Sequence, residues 1–80
     1  MNPGDLVNYK PNLQKQGYFL HCGSGTYDFA VVASLNPFML ISESGDMVWR
    51  STVKIDDFDV IGKATPDILS AVFARIKSGN

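Results

Sequence analysis

Residues 38–54 read FMLISESGDMVWRSTVK, with the apolar runs Phe38-Met39-Leu40-Ile41 and Met47-Val48-Trp49 on either side of Glu43-Ser44-Gly45-Asp46. Two short apolar runs around a polar, glycine-containing connection predict a β-hairpin. Along the second run, Met47, Trp49, Ser51 and Val53 share one face of an extended strand. Val48, Arg50, Thr52 and Lys54 share the other, which is largely hydrophilic and is expected to face water. An isolated hairpin is marginal in water, so the rest of the chain must extend it or cover it.

The neighbouring segments supply short strands. Met1-Asn2-Pro3-Gly4-Asp5 is a turn signal before the apolar stretch Leu6-Val7-Asn8-Tyr9, which Pro11 ends. Lys10 to Gln16 is polar apart from Leu13 and is expected to be an exposed loop, closed by Gly17. Tyr18-Phe19-Leu20-His21-Cys22 is strand-like in its aromatic content. Gly23-Ser24-Gly25 then reads as a turn. Tyr27 to Ser34 is expected to be one strand, apolar on both faces after Asp28 and so covered on both sides near its end. Asn36-Pro37 interrupts the chain before the hairpin. Ile55-Asp56-Asp57 reads as a tight acidic turn, and Phe58-Asp59-Val60-Ile61 as a last strand ended by Gly62.

The C-terminal segment switches period. Thr65-Pro66-Asp67 combines an N-cap residue, proline at the first helical position and an acid in the first turn. Ile68, Leu69, Val72, Phe73 and Ile76 fall within about 140° of arc at ~100° per residue, one apolar stripe. A helix over 65–78, docked on the sheet by that stripe, follows. Arg75 and Lys77 suit its negative end, and Gly79 its C-terminal side.

Length and charge narrow the functions. Eighty residues make one domain with a thin core. Seven Lys and Arg against eight Asp and Glu give a net charge of −1, so no basic excess draws the whole chain to nucleic acid or to an anionic membrane. The single cysteine rules out an internal disulfide. No signal-peptide pattern opens the chain, and no apolar run approaches the roughly 18 residues of a membrane span. The expected location is the cytoplasm, of the source cell or of an infected host. The thin core and low charge leave room for a homo-oligomer.

Few residue sets here can carry chemistry. His21 and Cys22 are adjacent and would point to opposite faces of a strand, which separates nucleophile from base. One histidine and one cysteine are too few for a zinc site. Gly23-Ser24-Gly25 lacks the third glycine of a dinucleotide loop, where Asp28 stands, and a strand follows it instead of a helix. Asp56, Asp57 and Asp59 lack calcium-loop spacing, because Ile68 stands where the last carboxylate ligand would fall. No catalytic residue, metal or cofactor is expected. Tyr9, Tyr18, Tyr27 and Trp49 offer stacking or peptide-binding area, although Trp49, on the face of Met47 and Val53, also reads as core. Arg50 and Lys54 form the best local basic feature, which is also what a solvated face looks like.

The opening Pro3-Gly4-Asp5-Leu6-Val7 resembles the first strand of SH3-like barrels, where such a turn feeds a short apolar strand. Asp57-Phe58-Asp59-Val60-Ile61-Gly62 is similar to their last strand, including that of small phage and plasmid proteins, and Lys10 to Gly17 fits their long first loop. The resemblance covers residues 3–62 and implies a small barrel, or a curled antiparallel sheet of five to six short strands, here with an added helical cover. It also implies binding of peptides, proteins or RNA in place of catalysis. The expected function is a non-enzymatic protein-binding module, such as an accessory or inhibitory protein of a phage or other mobile element. The alternative is a nucleic-acid-binding regulatory module, against which the net charge argues. Tyr9 and Tyr18, which flank the long loop, and Arg50 are the expected partner surface, with the two phenols close together if the flanking strands pair.

Overall fold

The computed structural model describes residues 1–22, 25–43, 45 and 47–78. In chain order the elements are β1 (Asp5–Tyr9), α1 (Pro11–Lys15), β2 (Leu20–Cys22), β3 (Gly25–Tyr27), β4 (Ala30–Leu35), β5 (Phe38–Ile41) and β6 (Val48–Trp49). A 3-10 turn (Ile55–Asp57), β7 (Phe58–Lys63) and α2 (Pro66–Ser78) complete the described chain. The fold is mainly β with one C-terminal helix.

The hairpin around Gly45 forms as its apolar runs predict. Leu40 pairs with Trp49 and Ile41 with Val48. Ser42, fully buried, fastens the turn: its main-chain N–H donates to the Met47 carbonyl at 2.8 Å, and its Oγ accepts the Met47 N–H at 3.1 Å. Gly45 stands at φ +80°, the left-handed region that favours glycine. Ser44 and Asp46 lie outside the described residues. The β6 strand is shorter than the alternation through Lys54 suggests, because the chain turns at Ser51-Thr52. Trp49 and Val53 are still buried, and Val48 and Arg50 exposed.

Five strands join in the antiparallel order β6-β5-β4-β1-β7, and β2 and β3 form a separate two-stranded sheet. The first and last strands are therefore neighbours, paired from Asp5 opposite Lys63 to Tyr9 opposite Phe58. Register breaks in β4 at Val32/Ser34 and opposite Leu6/Val7 bend the strands. The large sheet nonetheless stays open, with β6 and β7 at its two ends, so the expected closed barrel gives way to the open-sheet alternative. Seven strands in two sheets stand among the described residues, where five to six in one were expected.

Strand pairing sorts the core into two layers. Leu6, Val31, Ile41 and Val48 form a row across one face of the sheet, while Val32, Leu40 and Trp49 form a row across the other. The helix covers the first face: Val72, fully buried, packs with Val31 and Ile41, and Ile68 and Leu69 lie partly buried beside them. The second face builds the larger core with Val7, Leu20, Ala30, Val53 and Phe58. Ala30, Val31 and Val32 are all completely buried, so the strand expected to be covered on both sides is so covered. The helix starts as Thr65 predicts, with the Ile68 N–H donating to Thr65 Oγ1 at 3.3 Å. The side chains of Phe73, Arg75, Ile76 and Lys77, and all of Gly79, lie outside the described part.

Other boundaries also differ from the sequence reading. Lys10 to Gln16 is not a loop: Pro11 opens a short helix at its first position, where its missing N–H costs nothing. Tyr27 to Ser34 is not one strand: the chain leaves the small sheet at Tyr27 and enters the large one at Ala30. Asn8 Nδ2 holds the corner by donating to the Asp28 carbonyl at 2.7 Å. The last strand also runs past Gly62 to Lys63, because β1 continues opposite it to Asp5.

Candidate aromatic binding cleft

Tyr9 closes β1, and α1 then reverses the chain. Gln14 Nε2 donates to the Tyr9 carbonyl, at 2.6 Å, and the Tyr18 N–H donates to the Leu13 carbonyl at 3.1 Å. Gly17, at φ +97°, makes the bend between them. The result sets the Tyr9 and Tyr18 rings 5.9 Å apart at 49°. The two phenols are thus adjacent as expected, but through the helix, since β1 pairs with β4 and β7 and not with β2.

The ring contacts continue inward. Tyr9 stacks on Phe58 at 4.4 Å and 29°, and Phe58 meets Phe38 at 5.9 Å. Tyr18, Tyr9, Phe58 and Phe38 form one chain of aromatic contacts from solvent into the core, in the range where aromatic pairs are favourable. Burial raises the Tyr9 phenol pKa above its ordinary value, followed by the negative charge of Asp57 and then by Tyr18.

Beside this chain lies a cleft of about 340 Å³. Its walls include Tyr9, Phe19, Leu20, Trp49 and Val53, with His21 and Thr52 as polar members. Trp49 is core, as its face predicts, at 7 % exposure. Its indole N–H donates to the His21 carbonyl at 3.3 Å, and its ring meets Tyr27 edge-on at 5.3 Å. Phe19, in the wall, is 50 % exposed, and so is Tyr18, which lies outside the wall but against the wall residue Tyr9. No family model, curated protein or solved structure matches the chain.

Of the three expected site residues, the structure brings Tyr9 and Tyr18 together. Arg50 is exposed and follows the cleft residue Trp49, but it is not part of the cleft wall. Phe19 was the residue missed. A strand over Tyr18 to Cys22 would set Tyr18 and Phe19 on opposite faces, whereas both precede β2 and both are exposed. An aromatic pair directly after a glycine was the available signal. His21 is exposed, and the Cys22 side chain lies outside the described part. Asp57 serves the main chain: its N–H donates to Lys54 and its carbonyl accepts from Lys10. No group of three His, Cys, Asp or Glu side chains that could hold a metal gathers among the described residues. What the site offers is apolar and aromatic area with phenol and imidazole edges, which suits contact.

Proposed function

We propose that this chain is a small non-enzymatic protein-binding module that engages its partner along the lip of the aromatic cleft. The observation that carries this reading is the half-exposure of Phe19 in the cleft wall and of Tyr18 packed against the wall residue Tyr9. Large aromatic side chains supply contact area at little cost in ordering, and an aromatic pair left half in water at the mouth of an apolar cleft suits a partner that covers it. Tyr9 and Tyr18 are the centre of the surface and Arg50 its charged border. The frame is an SH3-like sheet left open, a reading supported by the Pro3-Gly4-Asp5 turn, the long excursion after β1 and the adjacency of first and last strands. The likeness of Asp57 to Gly62 to small phage and plasmid proteins supports a role as an accessory or inhibitory protein of a mobile element, acting in a host cytoplasm.

Affinity purification from the source cell tests the reading, with the Tyr18→Ala, Phe19→Ala double variant as the control. A specific protein should co-purify with the native chain and be lost with the variant. Capture that survives the double substitution would refute the assigned surface. Exposed aromatics also serve as stacking platforms for single strands, so a gel shift with single- and double-stranded nucleic acid at low salt belongs beside it. A clear shift there would replace the protein partner with nucleic acid.

A further inference from the structure

We draw no further inference here: the strongest candidate, the free edge of β7, where Val60 and Ile61 stand exposed between Asp59 and Lys63, is an unpartnered apolar edge, and nothing in the structure shows what covers it.

Discussion

The indole N–H of Trp49 donates to the main-chain carbonyl of His21 at 3.3 Å, tying β6 of the large sheet to β2 of the small one. The same ring meets Tyr27 of β3 in a T-shaped contact. One side chain therefore fastens both strands of the small sheet to the large one and forms part of the cleft wall. Trp49→Phe keeps an aromatic ring and removes the donor. The expected loss is about 1–3 kcal/mol, combining the hydrogen bond with the smaller ring. Urea unfolding followed by circular dichroism measures it, and an unchanged midpoint would show that the small sheet docks without this bond.

Tyr9 predicts an alkaline effect. Its phenol pKa is raised in the folded chain, chiefly by burial, so the folded state holds this proton more tightly than the unfolded state does. Stability from this group is fully present below the ordinary phenol pKa, about 10, and is lost as pH rises through the higher folded value. Tyr9→Phe cannot ionise and should lose less stability than the native chain across that window. Paired urea melts from neutral to strongly alkaline pH decide the matter, and parallel curves would rule Tyr9 out.

Among the described residues, Val72 is the fully buried contact of the helix with Val31 and Ile41. Val72→Ala should cost about 2 kcal/mol, from two lost methyl groups and the space they leave. The exposed neighbour Ala71 is the control, since Ala71→Ser should stay within about 0.5 kcal/mol. Equal effects at the two positions would mean that the helix does not dock through Val72.

Gly17 makes the bend that returns Tyr18 to Tyr9. A Cβ there would meet nothing within 4 Å, so the cost of Gly17→Ala is the backbone strain of φ +97° alone. About 1 kcal/mol is expected from that strain. Thermal melting gives the stability change. Chemical-shift changes at the Tyr9 and Tyr18 rings report whether the pair separates, and a neutral substitution would show that the bend tolerates another residue.

The partner surface needs a variant that spares the core. Tyr9 is unsuitable, because it stacks on Phe58 at 4.4 Å and its loss would disturb the packing. Tyr18→Ala with Arg50→Ala removes two exposed side chains and should keep the chain folded, at a cost of about 1 kcal/mol for the lost Tyr18–Tyr9 ring contact. Partner affinity should fall at least tenfold, about 1.4 kcal/mol of binding free energy. Undiminished affinity of the folded variant would remove these two residues from the surface.

Local pattern determines a good part of this molecule without any tertiary contact. The two apolar runs about the Gly45 connection specify the β5–β6 hairpin, and the Thr65-Pro66-Asp67 start with its apolar stripe specifies α2, because these signals act over a few residues. The two-sided burial of Ala30, Val31 and Val32 was also legible, since a strand apolar on both faces needs cover on both. Tertiary structure decided the rest. Tyr27 to Ser34 divides between two sheets, β3 pairing with β2 and β4 with β1 and β5, and Asn8, distant in sequence, holds the Asp28 carbonyl at the corner at 2.7 Å. The polar segment after Lys10 becomes a helix anchored through the Tyr9 carbonyl, and that anchor brings Tyr18 to Tyr9 where strand pairing had been expected. Residue pattern governs which side chains prefer burial, but contacts between distant segments determine where the chain turns, and so which aromatic rings remain at the mouth of the cleft.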